Sequence, residues 1–207
     1  MSDASIVQSQ PTVRAQHRPS RRGDVLATAA IVLAETDGRA TLADVARAAQ
    51  MAPSSVYYHF SSLGDVRDEL TREAYRRAQS CFPGEDVTDV EAWIVQGVVS
   101  CAAWITVDPF ASHLIVGSGD VPSGGARPLD AIHECADAFR AAVAHEVCDR
   151  SSTTSAEQAW LLASALLSLL TTLRAASRNP AEAALCRPDV VRVIATRIAH
   201  WSQGYHD

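Results

Sequence analysis

Residues 159–173 read AWLLASALLSLLTTL, and no other stretch restricts the fold of this chain as strongly. Glu157 and Arg174 bound the run, and Ser164, Ser168, Thr171 and Thr172 are its polar breaks. It is short for a membrane span, which takes about 20 apolar residues. It reads instead as the centre of a helix from Ser155 to Ser177 that is apolar on nearly every side. Such a helix has to be covered all round. Other helices of the same chain can cover its inner side. Its outer side needs a partner, and the natural one is the same helix of a second copy, with the helix at 188–202 alongside. The expected assembly is a homodimer through about 156–177 and 188–202, with no membrane contact.

The remaining periodic segments are helical too. Val25, Leu26, Ala29, Ala30 and Leu33 form one stripe, which Asp37-Gly38 stops. Thr41 is an N-cap with Asp44 three residues on, so a short helix runs over 42–48. Gln50-Met51-Ala52 breaks it, Pro53 suits a first helical turn, and a third helix covers 54–59. Further helices are expected at 63–80, 89–106, 110–116, 128–148, 155–177 and 188–202. The stretch GSGDVPSGG at 117–125 reads as loop. Strand alternation and internal repeats are missing from the pattern. The fold class is therefore all-α, with about nine helices: a three-helix head and a larger helical body. Residues 1–20 read as a flexible basic arm carrying Arg14 and Arg18, 21–66 as the head, and 67–207 as the body.

Composition removes several functions. All 18 basic residues are Arg, so a phosphate loop with its lysine and a lysine Schiff base are both excluded. The net charge is −6, yet residues 1–60 hold six Arg against five acids. An acidic body with a basic N-terminal part can still meet a polyanion. Five Cys with no CxxC pair and no secretory signal point to free thiols in the reducing cytoplasm. His133, Cys135, His145 and Cys148 do not share one helix face, so no metal site is expected. No nucleophile–base constellation is evident, and neither enzymatic activity nor a cofactor is expected.

The head has the layout of a helix-turn-helix: short helix, tight turn, short polar helix. Its third helix, within MAPSSVYYHF at 51–60, carries Ser, Tyr and His side chains that hydrogen-bond phosphates and base edges. From Arg22 to Leu70 the sequence resembles the DNA-binding domain of TetR-family transcriptional repressors. The matching run is DGRATLADVARAAQMAPSSVYYHFSSLGDVRDEL. The resemblance implies operator contacts at the positions of Thr41, Ser54, Ser55, Tyr57, Tyr58 and His59, and a core role for Phe60. Two departures stand out. Gln50 occupies a turn position where the family has Gly, and Leu63 a position where it has a phosphate-binding Lys. Backbone contacts then shift toward Arg21, Arg22 and the arm.

Trp93, Trp104, Phe110, Phe139 and Trp160 are large for an Ala/Leu interior, and Cys101, His113 and His133 add polar groups. Together they are candidates for a small-organic-ligand pocket, which the resemblance also implies. The expected function is a homodimeric repressor that grips a palindromic operator and releases it when an organic effector moves helix 4. Two alternatives stand beside it: a transcriptional activator, and a helical binding or scaffold protein that has lost DNA binding.

Overall fold

The computed structural model describes residues 21–114 and 129–202. The arm with Arg14 and Arg18, and the 117–125 loop, lie outside the described residues. Among the described residues eight α-helices run in order: α1 Arg22–Glu35, α2 Leu42–Ala48, α3 Pro53–His59, α4 Leu63–Ser80, α5 Val90–Val107, α6 Leu129–Arg150, α7 Ala156–Ser177 and α8 Pro188–Ser202. Short 3₁₀ segments occupy Pro109–His113 and Ala183–Cys186. The first covers the described part of the short helix expected at 110–116; Asp108 caps it and Pro109 opens it. No strand occurs among the described residues.

Local chemistry sets the helix ends. Thr41, Ser62 and Ser155 each make a capping box, with Asp44, Asp65 and Gln158 respectively. The ends of α1 and α2 use left-handed residues. Met51 N–H donates to Ala46 O (2.9 Å) and Gln50 N–H to Arg47 O (3.2 Å), the paired bonds of a Schellman motif. Gln50 holds the left-handed position at φ 53°. Gln carries a Cβ penalty there that Gly does not.

Two cores meet on α4. The head core joins Val25, Ala29, Leu33, Val45, Val56 and Phe60 to Val66 and Leu70 of α4, and it takes in Phe110 from beyond α5. The body core begins one turn later at Ala74 and includes Trp93, Val98, Phe139, Leu162 and Leu166. Leu70 thus belongs to the head although it lies past residue 66, and Phe110 belongs to it although it follows α5 of the body. Arg67, nearly buried, donates to Gly38 O and fastens α4 to the α1–α2 turn.

The body core takes the small side of α8, through Val191, Ala195 and Ala199. Its larger residues stay outside: Val190, Ile194 and Ile198 are half-buried, while Val193 and Trp201 are exposed. On α7, Leu162, Leu166, Leu170 and Leu173 are buried, and Trp160 and Leu161 are exposed. In this single chain α7 is therefore covered on one side only. By length and composition α5 and α7 could each cross a membrane, but both contribute buried residues to the body core.

Candidate nucleic-acid interface

Helix α3 has seven residues, of which only Val56 is buried. Phe60, its C-cap, is 2% exposed and anchors the helix end in the head core. Two apolar anchors four residues apart thus hold one side of α3. The other side presents Ser54, Ser55, Tyr57 and Tyr58 to solvent, with Tyr58 86% exposed. His59 is half-buried and meets the Tyr58 ring edge-on at 5.4 Å. Two exposed tyrosines beside two serines form an amphipathic surface able to hydrogen-bond and to pack on base methyls and sugars.

Arg22 fixes the placement of α3. Its Nη1 donates to His59 O (2.6 Å), its guanidinium lies 4.3 Å over the Phe60 ring, and Nη2 is 3.7 Å from a Glu69 carboxylate oxygen. The residue expected to contact phosphate thus clamps the C-terminal end of α3 to α1 and α4. Arg21, just before α1, is exposed. The Thr41 hydroxyl donates to Asp44 Oδ2 (2.7 Å) and accepts from Asp44 N–H. These bonds, with the Arg47 contact, hold the Asp44 carboxyl at about 2, below its usual value of 3.8. To donate to a phosphate, Thr41 has to release Asp44. Leu63 packs against the head core.

Arg47 was not among the expected contacts. Its side chain is 77% exposed on α2, and its Nη1 rests on Asp44 at 2.8 Å. The signal for it was its place in the last turn of the short helix that precedes the turn.

The eight body residues expected around a ligand do not come together. Trp93, Cys101 and Phe139 are in the body core, whereas Phe110 lies in the head core. Trp104 packs against both cores, and its buried Nε1–H meets no acceptor among the described residues. His113 is nearly buried, with Nε2 3.4 Å from Ala30 O of α1. His133 and Trp160 are exposed. The eight are spread over the body core, the head core, the junction between them and the surface.

A cleft of about 300 Å³ lies between the end of α4, α5 and α6. Gln79, Phe82, Pro83, Trp93, Val143 and Glu146 are among its walls. Of the eight, it includes only Trp93. The Phe82 and Trp93 rings stack at 4.7 Å between centroids, and Trp93 Nε1 donates to Pro83 O (2.9 Å). A Cβ added at Gly97 would stand 2.2 Å from Cδ1 of Phe82. Gly97 is what lets the Phe82 ring lie against the backbone of α5.

Residues 25–70 match the family model described as bacterial regulatory proteins, tetR family. No curated protein matches the chain. Among solved structures, a tetR-family transcriptional regulator from Streptomyces coelicolor aligns with a TM-score of 0.66 at 14% identity, over 90% of this chain and 80% of that one. The fatty acid degradation regulator FadR from Bacillus halodurans aligns at 0.61 and 16% identity, over 87% and 97% of the two chains. The multidrug binding protein EbrR, solved with imidazole, aligns at 0.57 and 19% identity, over 87% and 96%. These identities carry the fold alone. Residues 25–70 match the tetR-family head, and the whole chain shares the all-helical architecture of these regulators.

Proposed function

We propose that the protein is a homodimeric repressor that holds a palindromic operator through two copies of α3 and lets go when a small organic molecule binds the body. The observation that carries this reading is α3 itself: a helix anchored at Val56 and Phe60 that leaves Ser54, Ser55, Tyr57 and Tyr58 in solvent. A helix with so little buried surface is kept in place for what it presents. Arg21 and Arg47, both exposed, are suited to meet phosphates flanking it.

The outward residues of α7 and α8 support the dimer. Trp160, Leu161, Val193 and Trp201 form apolar surface on the two helices expected to pair across a two-fold axis. Pairing supplies two recognition helices about one DNA turn apart, ~34–36 Å, the spacing a palindrome requires.

The Phe82–Trp93 cleft is our choice for the effector. It suits an amphipathic organic molecule, with aromatic walls and Gln79 and Glu146 at its edge. Gln79 is in the last full turn of α4, so an occupant would press on the helix that bears the head. An effector can shift the head only by its differential affinity for the two α4 positions. The names of two fold neighbours, a fatty acid degradation regulator and a multidrug binding protein, agree with organic effectors in this architecture. The test is a mobility shift with double-stranded DNA from upstream of the protein's own coding region. A discrete, salt-sensitive shift supports the reading, and equal binding to unrelated duplexes contradicts it.

A further inference from the structure

Cys81 and Cys101 are twenty residues apart in sequence, yet their thiols share one site. Cys81 is the C-cap of α4, and its Sγ donates to Arg77 O at 3.3 Å. Cys101 lies on α5, fully buried, and its Sγ donates to Ala78 O at 3.3 Å. The two sulfurs thus sit on consecutive carbonyls of the last turn of α4. Cys81 is half-buried and so within reach of small solutes.

We infer that Cys81 and Cys101 form an oxidisable dithiol, and that a hydroperoxide-class oxidant converts it to a disulfide across the α4–α5 contact, weakening DNA binding. The effect on DNA rests on the repressor reading above; the disulfide does not. The chemistry divides unequally between the two sulfurs. The neighbouring Cys101 thiol lowers the Cys81 thiol below its ordinary value, against burial and the nearby Asp108 carboxylate. Burial pushes Cys101 well above its ordinary value. Cys81 is therefore the attacking thiolate and Cys101 the resolving thiol.

The Cys81 sulfur attacks one peroxide oxygen, the O–O bond breaks, and the departing hydroxide takes up the thiol proton as water. The resulting sulfenic acid is attacked by Cys101; the S–O bond breaks, and the hydroxyl leaves with the Cys101 proton as a second water. Two thiols lose two hydrogens, and one peroxide becomes two waters. An S–S bond of ~2.05 Å draws the two sulfurs together, off their carbonyls. The last turn of α4 has to follow. That turn also contains Arg77, which binds Asp108 and stacks on Phe110 of the head core. A shift there reaches the head directly.

The test uses the full chain, reduced and then treated with hydrogen peroxide. Intact mass should fall by two hydrogens, and peptide mapping should join the Cys81 and Cys101 peptides, leaving Cys135, Cys148 and Cys186 unlinked. Operator affinity should drop about tenfold and return with dithiothreitol. Cys101→Ala and, independently, Cys81→Ser should retain reduced-state binding and lose the peroxide response. Linkage at other cysteines, no linkage, or linkage with unchanged operator affinity in the native chain overturns the inference. If the reduced chain binds no duplex at all, the repressor reading fails, and the dithiol stands or falls on the peptide map alone.

Discussion

The Arg77 guanidinium lies 3.8 Å over the ring of Phe110, while its Nη1 holds Asp108 Oδ2 at 2.6 Å. Arg77 stands at the end of α4, and Phe110 is packed into the head core. One side chain therefore binds the C-terminal end of α5 and the underside of the head. Two weaker clasps join it: His113 against Ala30 O, and Arg178 Nη2 at 3.4 Å from both Ala34 O and Asp37 Oδ1. The head is held by the 109–113 segment and the end of α7 as well as by the continuous α4.

Arg77→Met retains the alkyl stem but removes the cation–π contact and the bond to Asp108. Stability should fall by about 1–2 kcal/mol in chemical denaturation, since the pair is partly shielded from water. Phe110→Ala should cost more, about 3–4 kcal/mol, by opening a cavity in the head core. Equal, negligible losses in both variants would show that the head does not depend on this junction.

Gln50→Gly relieves the Cβ penalty at φ 53°. Thermal unfolding should show a gain of about 0.5–1 kcal/mol, with the Schellman bonds intact. A loss of stability would mean the Gln50 side chain contributes more than its conformation costs.

The capping box of α2 predicts an acid dependence. Asp44 titrates at about 2 in the folded chain, below its ordinary 3.8. A depressed carboxyl stabilises fully above the ordinary value, and that contribution disappears as pH falls through the folded one. Helical signal from the head should therefore decline between about pH 4 and pH 2, and Asp44→Asn should flatten that part of the profile. Asp65, also lowered, by its bonds to Ser61 and Ser62, adds a contribution at α4 that is likewise lost on acidification. An unchanged profile in the double Asn variant would remove both boxes from the account.

Much of this architecture was legible from local signals. Thr41 with Asp44, Pro53, Ser155 and Pro188 are start marks that act within one turn, and the α2, α4 and α8 spans coincide with their expected bounds. What stayed hidden depends on distant pairing. Nothing near Phe110 in sequence says that its ring belongs with Val25 and Val56. Cys81 and Cys101 carry no motif, since their meeting depends on how α4 crosses α5. On α8 the larger apolar residues Val190, Ile194, Ile198 and Trp201 mark one side, but packing against α5 buries the neighbouring small one, Val191, Ala195 and Ala199. Arg22 looked like a free cation because its partners, His59 O and the Phe60 ring, are 37 and 38 residues away.

The outer residues of α7 and α8 predict the assembly. Leu161→Glu or Val193→Glu places a charge on apolar surface that the dimer would bury. Sedimentation should show the native chain as a dimer and either variant shifted toward monomer, with helical content retained. A native monomer, or variants that stay dimeric, would displace the interface from these helices.

The central claim is that α3 reads DNA, and the most direct measurement is the affinity of the native chain and of Tyr57→Ala and Ser55→Ala for one operator duplex, followed over a salt series. The native chain should bind specifically, with affinity falling steeply as salt rises. Each variant should lose about 1–3 kcal/mol of binding, roughly tenfold to a hundredfold, while sedimenting as the native assembly does. Native affinity in both variants would contradict the assignment of α3 as the reading helix.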